Sequence, residues 1–154
     1  KELTTTEQIL ADTSSAIQWL KEQSHQSKIT VIGFCFGGHA ALITATLPDD
    51  SETFDFYGAG VSTSRPGGGP PSLELLPNIS GKLTCLCGTA DPLIPASDRE
   101  AIQESLTREN PDGKRLSYIE IDGADHGFMC EQRASFNRNA STIGWQLLMN
   151  ELSF

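Results

Sequence analysis

No apolar run in this 154-residue sequence approaches the roughly 20 residues of a membrane-spanning helix, and the opening KELTTTEQ has no apolar signal core. Basic side chains are scarce: 11 Lys and Arg stand against 20 Asp and Glu, a net charge of −9. A surface of that sign argues against nucleic acid or anionic lipid as the main partner. Cysteine is confined to positions 35, 85, 87 and 130. Without a secretory signal these are expected to be reduced thiols, and the cytoplasm is the expected compartment. Cys85-x-Cys87 would place two thiols on one face of a strand, but no second pair stands at metal-ligand spacing. Buried, inert thiols are therefore expected there, and no metal. There is no internal repeat, no phosphate-loop lysine and no dinucleotide fingerprint, so no cofactor is expected either.

What is present suits one globular domain over 1–154: 38% hydrophobic residues are enough for a buried core. Ile9, Thr13, Ala16, Ile17 and Leu20 recur at helical spacing behind the cap candidates Thr4 to Thr6, predicting a helix that ends near Gln23. KITVIGF (28–34) reads as a buried strand, and 39–47 as a helix stopped by Pro48 and Asp49. Phe54 to Tyr57 reads as a second strand, and STSRPGGGPPS (62–72) as an irregular surface loop. Further strands are expected at 82–88 and 115–121, with helices at about 96–109 and 137–152. Strands alternating with helices imply crossover connections and a mainly parallel sheet covered on both faces, an α/β fold.

Gly33-Phe34-Cys35-Phe36-Gly37-Gly38, at the first strand-to-helix junction, has the form of a nucleophile elbow with Cys in the place of Ser. A nucleophile on so sharp a turn needs small neighbours two positions away, here Gly33 and Gly37. The helix N-terminus behind the sulfur accommodates negative charge, and the Phe36 N–H can donate to a developing oxyanion. Asp91 follows the third strand and His126 the fourth. Nucleophile, acid, then histidine is the chain order of an α/β-hydrolase triad, each member at the carboxyl end of a strand. The imidazole would activate the sulfur and protonate the leaving group, and Asp91 would orient it. Asp125 ranks below Asp91 as the acid because it shares the turn of His126. His25, in a polar linker, and His39, on the outgoing helix and pointing away from the sulfur, rank below His126 as the base.

The stretches GFCFGG (33–38), FYGAG (56–60), GTADPLIP (88–95) and DGADHGF (122–128) together resemble the dienelactone hydrolase (carboxymethylenebutenolidase) family, in its bacterial and especially cyanobacterial-type branch. The resemblance implies hydrolysis of a small ester or lactone through a thioester, with no cofactor or metal. It gives Cys35 as nucleophile, Asp91 as acid, His126 as base and the Phe36 N–H as one oxyanion donor. Family members carry an arginine four residues after the histidine to hold a substrate carboxylate. Here that position is Cys130, and the nearest arginine, Arg133, is the candidate substrate contact.

Family members also begin with further strands, which supply the rest of the sheet, a second oxyanion donor, a gating glutamate and another substrate arginine. With Lys1 at the start, the chain is expected to hold about the C-terminal two-thirds of the domain, the N-terminal strands missing. The nucleophile strand would then be a bare apolar edge. A monomer is expected of the full-length protein, and pairing through that edge of this length of chain. A non-catalytic binding or regulatory protein on the same fold is the alternative. Thiol redox sensing through Cys35 ranks third, since no resolving cysteine lies close in sequence.

Overall fold

The structure, a computed structural model, describes residues 3–25, 27–48 and 52–152. Asp49, part of the expected stop after the second helix, lies outside the described residues. Helix α1 (Thr6–Ser24) starts where a capping box can form: Gln8 N–H donates to Thr5 Oγ1 at 3.2 Å and Thr5 N–H to Gln8 Oε1 at 2.9 Å. It ends at His25, which turns into the left-handed region with φ 55°. Then follow β1 (Thr30–Phe34), α2 (Phe36–Thr44), β2 (Glu52–Phe56), β3 (Lys82–Gly88), α3 (Ala96–Arg108), β4 (Leu116–Ile121) and α4 (Arg138–Leu152).

The four strands form one parallel sheet in the order β1-β2-β3-β4. Glu52 ties its amino-terminal side: the buried carboxylate meets Lys28 Nζ at 2.8 Å and Lys82 Nζ at 3.6 Å, joining three neighbouring segments. Helices cover both faces, as a parallel sheet apolar on both sides requires. Alternation along β2 shows which lies where. Asp55 points to the face under α2, its carboxylate against Gly38, while Phe56 points the other way, against Gly144 of α4. The core gathers Leu42, Phe54, Phe56, Leu83, Leu86 and Leu148, all almost wholly buried. At up to about 1.5–3 kcal/mol for each such side chain, this burial is the main term holding the layers together.

Two details differ from the sequence reading. Helix α2 begins at Phe36 rather than 39, because the chain turns helical directly after Cys35. The segment 62–71 is the expected irregular surface loop, but it is tied together and leads into an element the sequence does not announce. Ser72 N–H donates to Ser64 O and Leu73 N–H to Val61 O, closing it on itself. It then runs into a short 3-10 helix, Ser72–Asn78, with Leu73 and Leu76 buried. Seven residues with Pro77 inside show no 3.6-residue period, so the pattern carried no sign of it.

Among the described residues β1 has a strand partner on one side only. Its Ile32 and Phe34 are 37% and 41% exposed, so this edge is both open and apolar.

Candidate active site

The site is built at the carboxyl end of the sheet, where β1, β2, β3 and β4 each hand over to a loop or helix. At the end of β1, Cys35 has φ 58° and ψ −124°, a conformation L-residues rarely adopt. It is held there by backbone bonds on both sides. Cys35 N–H donates to Phe56 O at 3.0 Å, and Cys35 O accepts from Gly38 N at 2.9 Å and His39 N at 3.2 Å.

The glycines that permit the turn are Gly33 and Gly38. A Cβ on Gly33 would lie 1.9 Å from Gly37 O; one on Gly38 would lie 2.3 Å from Asp55 Oδ1 and 2.8 Å from Phe56 O. The expectation that Gly37 must be small is corrected: a Cβ there meets nothing within 4 Å. Helix α2 crosses the end of β2 at its third residue, not its second. Phe36 opens α2, so its N–H is among the helix-start donors without an intrahelical acceptor.

The acid and base loops are stitched together. Gly88 ends β3 so close to the other loop that a Cβ would fall 2.0 Å from Ala124 O. Ala90 N–H donates to Ala124 O at 3.0 Å, Thr89 N–H to Ile121 O at 3.0 Å, and Gly123 N–H to Thr89 Oγ1 at 2.8 Å. On this frame Asp91 is buried, 2% exposed, with Oδ1 accepting from Leu93 N–H at 2.8 Å. Its Oδ2 lies 2.8 Å from His126 Nδ1, and His126 Nε2 lies 3.0 Å from Cys35 Sγ. Carboxylate, imidazole and sulfur thus form one hydrogen-bonded line. A proton on Nδ1, donated to Asp91, leaves the Nε2 lone pair facing the thiol.

The other candidates are engaged elsewhere. Asp125 Oδ1 accepts from the His126 backbone N–H at 2.5 Å and makes a local turn. The His39 ring is buried, with Nδ1 3.1 Å from Ala59 O and Nε2 2.7 Å from Ser72 Oγ, pinning both ends of the 59–72 segment to α2. His25 caps α1. Cys85 and Cys87 are buried free thiols, both pushed up by burial, the former with its sulfur 3.8 Å from Asp55 Oδ2. No group of three or more metal-ligating side chains occurs among the described residues.

Beside Cys35 opens a cleft of about 430 Å³, walled by Phe34, Tyr57, Met129, Cys130, Arg133 and Trp145. Composition places Tyr57 at the end of a strand. It instead leaves β2 with φ 45°, and its ring meets His126 edge-on at 5.2 Å and Phe128 at 5.0 Å. Burial, foremost, pushes its hydroxyl up to about 12, so it stays a neutral phenol. The sequence signal for Tyr57 was its place at the carboxyl end of a strand, before Gly58. Met129 and Trp145 had no local signal. Arg133, the expected substrate contact, does line this cleft, with its side chain exposed. Cys130 lines it too.

A family model for the dienelactone hydrolases matches residues 1–153. The chain belongs to the dienelactone hydrolase family. Among curated relatives it is 36% identical over 148 residues to a Synechocystis protein named "Putative carboxymethylenebutenolidase", covering 95% of this chain and 59% of that protein. A Yersinia pestis protein of the same name is 26% identical and is spanned to 53% of its length. The chain thus covers little more than half the length of these dienelactone hydrolase relatives. Among solved structures, a Klebsiella pneumoniae "Putative Dienelactone Hydrolase" superposes with a TM-score of 0.81 at 23% identity, over 95% of this chain and 60% of that one. A Pyrococcus furiosus esterase superposes with a TM-score of 0.69 at 18% identity, over 94% and 62% of the two chains. The fold is that of the α/β-hydrolases. No helix among the described residues is long and apolar enough to cross a membrane.

Proposed function

We propose that the protein hydrolyses small esters or lactones, with Cys35 as nucleophile, His126 as general base and acid, and Asp91 as the group that orients the imidazole. The observation that carries this is the line from Asp91 Oδ2 through His126 to Cys35 Sγ, 2.8 Å and 3.0 Å, on a strained elbow. Its membership of a hydrolase family supports the same reading. Because the chain spans 59% of the Synechocystis relative, the substrate and activity of the whole protein belong to this proposal.

His126 Nε2 takes the thiol proton, and the sulfur attacks the carbonyl carbon. The oxyanion that forms is stabilised by the Phe36 N–H at the start of α2. As the tetrahedral species collapses, the leaving oxygen takes the proton from Nε2 and departs as an alcohol, or as the freed hydroxyl of an opened lactone. Water then gives a proton to His126 and attacks the thioester, and the sulfur leaves to be reprotonated. The buried Asp91 holds the imidazole in one tautomer and stabilises its cation twice in each cycle. No step calls on a cofactor or a metal. Phe34, Met129 and Trp145 form an apolar wall for the acyl group, and Arg133 is the cation placed for a carboxylate on it.

Turnover of p-nitrophenyl acetate tests the assignment. Cys35→Ala is expected to abolish it while leaving the circular dichroism spectrum unchanged. Undiminished turnover by that variant would remove the cysteine from the mechanism.

A further inference from the structure

Two thiols share the cleft, although 95 positions separate them in the chain and nothing in the hydrolytic cycle uses the second. Cys35 and Cys130 are both half-buried and free, and both line the same cleft of about 430 Å³, the volume of a single small ligand. Both also act electrostatically on the Tyr57 hydroxyl, which places that oxygen within reach of the two sulfurs' fields. The remaining cysteines are different. Cys85 is 1% exposed and Cys87 2% exposed, beneath the helices. An oxidant must reach the sulfur, so the four divide into an accessible pair in the cleft and a buried pair in the core.

Cys130 sits on the irregular segment between β4 and α4. Its segment is a run of short turns, Cys130 N–H to Gly127 O, Arg133 N–H to Cys130 O and Phe136 N–H to Arg133 O. Asn137 N–H to Phe128 O closes the segment at its end. His126, hydrogen-bonded to Cys35, is the base for that thiol, and Arg133 adds positive charge on the wall that Cys130 shares.

We propose that Cys35 and Cys130 form a reversible redox pair, in which a hydroperoxide converts Cys35 to a sulfenic acid and Cys130 resolves it as an intramolecular disulfide. In the first step His126 takes the Cys35 proton, the thiolate attacks the outer peroxide oxygen, and the O–O bond breaks. The departing alkoxide or hydroxide takes the proton from His126. In the second step the Cys130 sulfur attacks the Cys35 sulfur and the S–O bond breaks. The Cys130 proton and the departing hydroxide leave as water. Two thiols are oxidised, and one hydroperoxide is reduced to an alcohol and water. An external dithiol reverses the change. The disulfide takes the nucleophile out of the ester cycle while sparing it from the irreversible sulfinic acid. Tertiary structure supplies the resolving thiol that the sequence lacks nearby.

The pair needs a reactive Cys35 but not an esterase, and the test keeps the two apart. The reduced full chain is treated with stoichiometric hydrogen peroxide, quenched with N-ethylmaleimide, and examined by intact mass and peptide mapping. The expected product is lighter by two hydrogens, carries a Cys35–Cys130 linked peptide, and recovers iodoacetamide labelling at Cys35 after dithiothreitol. In Cys130→Ser, Cys35 should instead gain one and then two oxygens. Its dithiothreitol-resistant loss of labelling should run about tenfold or more faster than in the parent, because an intramolecular thiol outcompetes peroxide in solution. Cys130→Ala, with its fold checked by circular dichroism, serves if the serine variant misfolds. Over-oxidation of Cys35 at equal rates in parent and variant, a disulfide between two chains, or a Cys35 inert to peroxide would each overturn the proposal. Ester turnover by reduced Cys130→Ser, measured in parallel, stands or falls separately with the hydrolase reading.

Discussion

Replacing Gly33 and Gly37 separately by alanine tests the elbow geometry, because the two residues look equivalent in the sequence and are not equivalent in space. A Cβ on Gly33 would sit 1.9 Å from Gly37 O, 2.3 Å from its carbonyl carbon and 2.7 Å from Gly38 N. Real Cβ contacts of this kind are not seen below 3.0 Å, so β1 and the first turn of α2 must separate by about 1 Å or more. All three atoms are backbone, and no rotamer can relieve the overlap. The cost belongs at the upper end of overpacking, about 3 kcal/mol, which for a chain of this size lowers Tm by roughly 6–12 °C. Separating the two elements also draws Cys35 Sγ away from His126 Nε2, now 3.0 Å distant, so labelling of Cys35 should change with it. In Gly37→Ala the new methyl meets nothing within 4 Å, and a helical alanine replaces a helical glycine. That variant is expected to match the parent or gain up to about 1 kcal/mol. Thermal unfolding followed by circular dichroism, with iodoacetamide kinetics at Cys35, measures both. Equal Tm values for Gly33→Ala and the parent would refute the argument, and so would equal damage from the two substitutions.

Asp91→Asn keeps an acceptor for the Leu93 N–H but turns an amide N–H₂ toward His126 Nδ1, which favours the tautomer with the proton on Nε2. A fall in kcat of about 10⁴-fold on p-nitrophenyl acetate, with an unchanged fold, is expected, and a loss below tenfold would contradict the role given to Asp91. Arg133→Ala should raise KM about tenfold for an ester bearing a carboxylate on its acyl group and leave KM for a neutral ester unchanged, as steady-state kinetics would show. Asp55, wholly buried between β2 and α2, has its carboxyl pushed up to about 7, chiefly by burial, against which the Gly58 N–H and Cys85 thiol act. The folded state therefore holds a proton that the unfolded state releases near pH 4, so this group's stabilisation is full below that pH and is lost as pH rises through 7. Urea unfolding between pH 4 and 8 should show that decline, at most about 4 kcal/mol from this group, and Asp55→Asn should flatten it.

Much of the architecture was legible because it rests on local rules. Strand β3 is the run KLTCLCG (82–88) as read from its β-branched and apolar residues, and β4 starts one residue late. Helices α1, α3 and α4 follow from caps and periodicity to within a residue or two. The 3-10 helix at Ser72–Asn78 was not legible, since one turn or two around a proline carries no period. Tyr57 fits a strand by composition, whereas its backbone is decided by the Leu86 carbonyl it bonds and by the aromatic rings it packs against.

The candidate triad divides in the same way. Residue type, chain order and position at strand ends, which depend only on neighbours in sequence, were enough to single out Cys35, Asp91 and His126. Which glycine must be bare depends on where α2 crosses β2, so spacing alone points to Gly37 where the structure needs Gly38. The arrival of Cys130, Met129 and Trp145 beside Cys35 depended on a late loop and the last helix folding back over the first strand. Sequence determines what each segment prefers to be and which side chains it carries. Only the packing of segments far apart in the chain decides what those side chains face, because contacts at that separation leave no period or spacing behind.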